Sequence, residues 1–356
     1  MEILKILRPE GQLKPLYDDP LKLVFGRTFT DHMFTMPYHR DRGWHDPEIK
    51  PYQPLPLDPA ANVLHYSQEV FEGQKAYKSG SGELLLFRPE ENAKRLNNSL
   101  RRMCMPEIPT ETILQAVDEL VKTEQRWIPT APGCSLYIRP TVIGTEAALG
   151  VRPSEEYLFY IILSPVGPYF PEGFRPVSLW VSDSFTRAAL GGTGEAKTGG
   201  NYAASLLASQ QAKERGYSQV LWLDARDHRY IEEVGAMNIF FVIDNVLVTP
   251  PLSGSILNGI TRRSVLKLAE DIGIRAEQRQ LTIDELVEGI RFRKVTEVFG
   301  AGTAAVISPV GKICYKGQEY SVGDEPGPWS RKFFDTLTGI QTGQLEDKHG
   351  WVHRIK

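Results

Sequence analysis

Little in this sequence points to metal, disulfide or membrane chemistry. The three cysteines, Cys104, Cys134 and Cys314, lie far apart in the 356 residues and form no CxxC pair, which argues against a disulfide framework or a thiolate zinc site. The seven histidines show no HExxH or similar ligand spacing, so no metal is expected. Charge of one sign is also lacking. Lys plus Arg number 41 and Asp plus Glu 44, a formal −3, and such a chain builds no strong field toward nucleic acid or an anionic membrane. The longest apolar run, YLFYIIL from Tyr157, is too short to cross a bilayer. No apolar signal core or transit peptide occupies the opening residues, and no repeat or low-complexity tract interrupts the rest. A globular protein in the reducing cytoplasm is expected.

With 41% hydrophobic and 24% charged residues, the chain can build a sizeable core, and its length predicts about two domains. The Pro-rich stretch His45 to Pro59 reads as irregular. From Asn62 strands and helices alternate. LLLF (84–87) is a strand, and Pro89 to Met103 a helix with Ala93, Leu96, Leu100 and Met103 on one stripe. A second helix carries Ile113, Leu114, Val117, Leu120 and Val121, and the strands SLYIRPTVIG and YLFYIILSP follow. PVGPYFPEGFRP (165–176), with four prolines, reads as an interdomain loop between a small α/β domain (1–164) and a larger one (177–356). The larger one offers VSLWVS, a helix from about Tyr202 to near Gly216, VLWLD and a hairpin pair, then a helix from Ile260 to Asp271. A Thr282/Glu285 capping box, glycine-punctuated strands and a helix from about Pro328 complete it.

The stretch GGTGEAKTGG places Lys197 among five glycines in ten residues. It is one residue from the phosphate-loop pattern GxxxxGK[ST], and VLWLD ending at Asp224 imitates the accompanying magnesium strand. Two features count against a nucleotide site. Asp183 to Leu190 separate the preceding strand from the glycines, and Ala196 stands where the pattern needs glycine to let backbone wrap phosphate. A lysine that forms an imine explains more, because glycines leave room for a planar ring beside its amine. Such a ring, pyridoxal phosphate, needs an acid at its nitrogen, a donor to its phenolic oxygen and a nest for its phosphate. Glu233 in EVGAMNIFF is the candidate acid and Tyr202 the candidate donor. LNGIT (257–261), leading into a helix, presents the N–H groups of Ile260 and Thr261 to an anion, and FGAGTA (299–304) is a second glycine turn carrying Thr303. Arg95 offers a bidentate cation. Taken singly, Glu233 also reads as a surface carboxylate beside Glu232, Tyr202 as a core residue, and Arg95 as part of a solvated face with Lys94, Arg101 and Arg102.

Together these segments resemble the branched-chain amino acid aminotransferases, class IV aminotransferases of pyridoxal phosphate fold type IV. The resemblance runs through HYSQEVFEGQKAYK (65–78), FRPEENAKRL (87–96), LYIRPTVIGTEAALGV (136–151), SPVGPYF (164–170), GGTGEAKTGGNYA, EVGAMNIFF, LNGITRRS and VFGAGTAAVISPV, covering nearly the whole chain in order. It implies an α/β fold of two mixed domains with the active site between them, and transamination of leucine, isoleucine and valine with 2-oxoglutarate. Lys197 would be the Schiff-base lysine and base, with Tyr202 at the phenolic oxygen and Glu233 at the ring nitrogen. Arg95, Ile260, Thr261 and Thr303 would hold the phosphate, and the turn at Thr303 and Ala304 the substrate carboxylate. Phe71, Tyr137, Tyr169 and Arg139 would line the side-chain pocket, joined by Tyr66, Leu149 and Val151 from the second subunit of a homodimer. On the strand LYIRP, alternation by itself puts Tyr137 and Arg139 on one face. D-amino acid aminotransferases and aminodeoxychorismate lyase share the lysine and the glutamate, but FEGQKAY, LYIRP and PVGPYF match the branched-chain group better. Two departures stand out. Ala305 and Ser308 occupy the places of a CxxC pair found in animal members, and Ala236 follows EVG where many of those members have threonine.

Overall fold

The computed structural model describes residues 1–170 and 173–356, and the chain divides into two compact units. One comprises Met1–Pro171, Ala196–Gly199 and Gly339–Lys356; the other comprises Glu172–Glu195 and Gly200–Thr338. The domain limits expected from sequence therefore differ from the packing at two places. The lysine segment groups with the first unit, and so does the C-terminal tail, because Val352–Ile355 adds an antiparallel edge strand to Leu84–Phe87. Within the expected interdomain loop, Pro165 and Val166 still belong to the strand Glu156–Val166, while Pro171 and Glu172 lie outside the described residues.

The first unit is built on a ten-stranded sheet. Its spine is the antiparallel pair Ser135–Gly144 and Glu156–Val166, in unbroken register from Ser135 opposite Val166 to Gly144 opposite Tyr157. Period-2 alternation sorts the faces of the first strand. Leu136, Ile138 and Val142 are wholly buried in the main core, beside the helices Pro89–Arg102 and Thr110–Thr123. Those helices form where read, since Ala93, Leu96 and Leu100, then Ile113, Val117, Leu120 and Val121, recur at helical spacing and are all buried. The odd residues Tyr137 and Arg139 take the opposite face. The stretch expected to be irregular contains one strand, Glu48–Pro51, which pairs with His32–Thr35. Its four residues are too few for alternation to announce it.

The second unit carries a nine-stranded mixed sheet in which Val177–Val181 runs parallel to both Gln219–Leu223 and Val306–Tyr315. The hairpin strands Ile231–Val234 and Met237–Ile243 follow, the latter also pairing with Val295–Gly302. The helix expected from Tyr202 to near Gly216 is broken into Gly199–Ala203 and Leu206–Glu214. At the break the Ser205 hydroxyl donates back to the Tyr202 carbonyl at 2.7 Å, a local bond that competes with helix continuation.

Glu297 anchors the helix Pro328–Gln341. Its buried carboxylate accepts hydrogen bonds from Trp329 N, Ser330 N and Ser330 Oγ, each at 2.9 Å. It thereby satisfies amides that the helix's first turn leaves without internal partners. A Cβ at Gly327 would come within 2.1 Å of that carboxyl group, so only glycine fits there. Replacing Glu297 by Ala should lower stability by about 2–4 kcal/mol, the cost of orphaning buried donors at a helix start. Urea unfolding followed by circular dichroism measures it, and a midpoint equal to wild type would overturn this account of the cap.

Candidate active site

The glycines around Lys197 contribute no side chains, so other segments must hold it. Lys197 N donates to Ser99 Oγ at 2.9 Å, and its carbonyl accepts from Phe71 N at 2.9 Å. The Thr198 hydroxyl donates to the Glu69 carbonyl at 2.7 Å. Gly199 N donates to the Glu69 carboxylate. The short strand Glu69–Phe71, itself paired with Thr141–Ile143, thus grips the segment after the lysine. Lys197 Nζ lies 4.7 Å from the centroid of the Phe71 ring. Ala196, the residue that breaks the phosphate-loop pattern, is buried at 3% exposure.

Phe71, Tyr137 and Arg139 come together on one face of this sheet. The Arg139 guanidinium lies 4.7 Å from the Phe71 centroid and 5.3 Å from that of Tyr137, and Nη2 donates to the Tyr137 hydroxyl at 3.3 Å. Arg139 Nε is buried with no hydrogen-bond partner among the described residues. A Cβ at Gly73 would fall 2.0 Å from the Tyr137 hydroxyl, which explains the glycine of FEGQ. Tyr169, packed edge-on against Phe170, is 41% exposed. Tyr66, Leu149 and Val151 are exposed to 37%, 64% and 87%, and the Tyr66 hydroxyl donates to the Leu149 carbonyl.

Arg95 is not on a solvated face. It is buried, and its Nε and Nη2 hold both oxygens of Glu72 at 2.7 and 2.9 Å. Asn92 donates to the same carboxylate at 2.8 Å. Burial alone would push the Glu72 carboxyl up, but Arg95 and Lys197 outweigh it and hold it below the usual range.

In the second unit Glu233 is likewise buried, at 4% exposure, and not a surface carboxylate. It forms an ion pair with Arg187 and accepts from Asn238 Nδ2 at 3.1 Å. Asn238 also donates to the Leu257 carbonyl at 2.9 Å, and a Cβ at Gly259 would meet its side-chain oxygen at 2.0 Å. Glu233 is thereby tied to the turn that starts the helix Ile260–Asp271. That helix has no side-chain cap and no acid in its first turn, and Ile260 and Thr261 are buried. Arg187, Asn201, Tyr202, Glu233, Ala236 and Leu257 line a cleft of about 140 Å³. Thr303 and Ala304 lie in the turn joining the strands Val295–Gly302 and Val306–Tyr315. Val306, at its end, has φ 61°, a left-handed conformation costly for a β-branched residue and found where the surroundings impose it.

Sequence reasoning missed Glu69, Glu72, Ser99, Arg187 and Asn238. Glu69 and Glu72 flank Phe71 in EVFEG, a dense enough cluster to have drawn notice; Ser99 and Arg187 carry no local signal. The donor set suits a phosphorylated aldehyde ring. An uncapped helix start and a threonine turn can take an anion, a buried carboxylate can hold a ring N–H, and a lysine amine stands beside an aromatic face. Among the described residues, no group of three or more His, Cys, Asp or Glu can hold a metal, and no helix is long and apolar enough to cross a membrane.

Comparison with known proteins gives the same direction. The family model of amino-transferase class IV matches residues 69–313. The branched-chain-amino-acid aminotransferase 2 of Bacillus subtilis is 53% identical over 338 residues, 95% of this chain and 93% of that protein. The crystal structure of the Escherichia coli branched-chain amino acid aminotransferase superimposes with a TM-score of 0.77 at 30% identity, covering 92% of this chain and 99% of the other. A further branched-chain amino acid aminotransferase, solved with pyridoxamine 5′-phosphate, matches at a TM-score of 0.76 and 28% identity, over 92% and 100% of the two chains. The fold is type IV, the cofactor is pyridoxal 5′-phosphate, and the chain belongs to the class IV aminotransferases, within their branched-chain-amino-acid family.

Proposed function

We propose that this protein transfers the amino group of L-leucine, L-isoleucine or L-valine to 2-oxoglutarate. The observation that carries the substrate class is the wall of Phe71, Tyr137 and Arg139 beside Lys197, which offers aromatic surface and one cation together. Aromatic faces accept a branched aliphatic side chain. The guanidinium, with Nε buried and unpartnered among the described residues, accepts the distal carboxylate of glutamate or 2-oxoglutarate. Relatives at about half identity named for branched-chain amino acids support the same reading.

Bound pyridoxal phosphate supplies an aldehyde carbon that takes an amine and a ring that draws electrons from the substrate Cα. Lys197 is the residue that would bond it, and its Nζ, once freed by an incoming amine, would be the base that takes and returns the Cα proton. Glu233, ion-paired with Arg187, would hold the proton on the ring nitrogen. Tyr202 donates to the phenolic oxygen. Arg95, Ile260, Thr261 and Thr303 hold the phosphate, and the backbone of Thr303 and Ala304 receives the substrate carboxylate. Tyr169 lines the pocket with Phe71 and Tyr137. The exposed Tyr66, Leu149 and Val151 reach the site of a second subunit in a homodimer, an environment that accounts for apolar side chains left open to solvent. Three free thiols suit the cytoplasm.

The reading is tested first by the visible spectrum. Yellow absorbance should bleach with L-leucine and return with 2-oxoglutarate; a protein that answers only D-alanine would overturn the substrate class. Lys197→Ala should lower kcat by about 10³-fold or more, with an unchanged circular dichroism spectrum. Glu233→Gln should lower kcat by about 10²-fold while the cofactor still binds, because an amide cannot hold the ring proton. Arg139→Met should raise KM for 2-oxoglutarate about tenfold or more and KM for leucine far less; steady-state kinetics with both substrates decides.

A further inference from the structure

The wall that reads two unlike substrates carries an acid as well as a cation. Glu69 faces the same way as Phe71 on their strand, and the register sets Glu69 opposite Ile143 and Phe71 opposite Thr141. Those residues share the face of Tyr137 and Arg139. The Glu69 carboxylate is built in. Its Oε1 occupies the space a side chain at Gly199 would need, 2.1 Å from the Cβ position, and Gly199 N donates to it. Arg139 and Lys197 are the charges that act on it, and the phenol of Tyr160, on the adjoining strand, feels both Glu69 and Arg139. Burial pushes the Glu69 carboxyl up, working against the pull of Gly199, Arg139 and Lys197.

We infer that Glu69 is a specificity-determining residue, the resident counter-charge of Arg139 that balances its guanidinium when an aliphatic side chain fills the pocket and opposes the distal carboxylate of a dicarboxylic substrate. The inference rests on the transamination proposed above. An apolar substrate brings no charge to the half-buried Arg139, whose Nε is shielded from water, and a partly desolvated cation without a partner is costly. Glu69 removes that cost for leucine, isoleucine and valine. The same charge repels an incoming carboxylate, so affinity for 2-oxoglutarate is held down to match. Selectivity between the two substrate classes is set by this pair of opposite charges on one sheet face.

Glu69→Gln tests it in the holoenzyme, since the amide oxygen still accepts from Gly199 N while the charge is gone. The ratio of kcat/KM for 2-oxoglutarate to that for 4-methyl-2-oxopentanoate should rise about fivefold, the size of one screened charge interaction. Calorimetric Kd values for two unreactive analogues give a readout independent of turnover. Glutarate should tighten relative to 4-methylpentanoate by a similar factor. Equal changes for both substrate classes mean that Glu69 only holds the lysine segment, and overturn the inference, as does an unchanged ratio. If the Gln variant does not fold, Glu69→Ala deletes the same charge and must shift the ratio the same way. Wild-type protein with no leucine transamination would overturn the proposed function and this inference with it; an active wild type with an unmoved ratio overturns the inference alone.

Discussion

The grip of the strand Glu69–Phe71 on the lysine segment is the constraint from which the first unit's chemistry follows. A glycine-rich loop by itself holds nothing, because glycine brings no packing and the greatest conformational freedom. Here the freedom is removed from outside. Phe71 N, Ser99 Oγ and the Glu69 carbonyl each take one polar group of Lys197 or Thr198. The strand that does so is fixed in turn by its ladder to Ser135–Gly144, the spine of the sheet. Lysine, aromatic wall and Arg139 are therefore referred to one rigid element, with tolerances set by backbone hydrogen bonds. This is the preorganisation that a positioned amine requires.

Both units solve the problem of a buried acid in the same way, by giving it an arginine. Glu72 has Arg95 in the first unit, and Glu233 has Arg187 in the second. A buried ion pair is weak evidence for stability, since desolvation of two charges consumes most of their attraction. Its consequence is electrostatic. In the first unit the Glu72 carboxyl is held below its usual range against the push of burial, chiefly by Arg95. In the function proposed for Glu233, holding a proton on a ring nitrogen, a neighbouring arginine would favour the ionised carboxyl that task needs.

Much of this was legible in the residues. The strands Leu84–Phe87 and Ser135–Gly144 and the helix Ile260–Asp271 lie where periodicity and end signals put them, because each is long or regular enough for its pattern to dominate. The fold type and family came from motif order, not from periodicity. What escaped was non-local. No pattern near Val352 announces that it closes the sheet beside Leu84–Phe87. Nor does helical propensity after Tyr202 foresee a serine that bonds backward and ends the first turn. Arg95 and Glu233 showed the limit most sharply. Composition alone makes each a solvated side chain, whereas the partners that bury them, Glu72 and Arg187, stand 23 and 46 residues away, a pairing that only the folded sheet reveals.

A transaminase of this family faces an unusual demand, because one pocket must accept an aliphatic side chain in one half-reaction and a carboxylate in the other. In the function proposed here, Arg139 would meet it through its setting. A guanidinium laid against two aromatic faces keeps a flat, weakly hydrated surface toward the pocket, so an apolar substrate packs against it without stripping a firmly held water shell. The same group retains in-plane N–H donors, and its buried Nε has no hydrogen-bond partner among the described residues. A lysine in its place would present a compact, strongly hydrated charge and favour the dicarboxylate throughout. On this proposal, the choice of arginine between Phe71 and Tyr137 would let a single wall serve both substrates, and the glycine at position 73 leaves the room that the Tyr137 hydroxyl occupies.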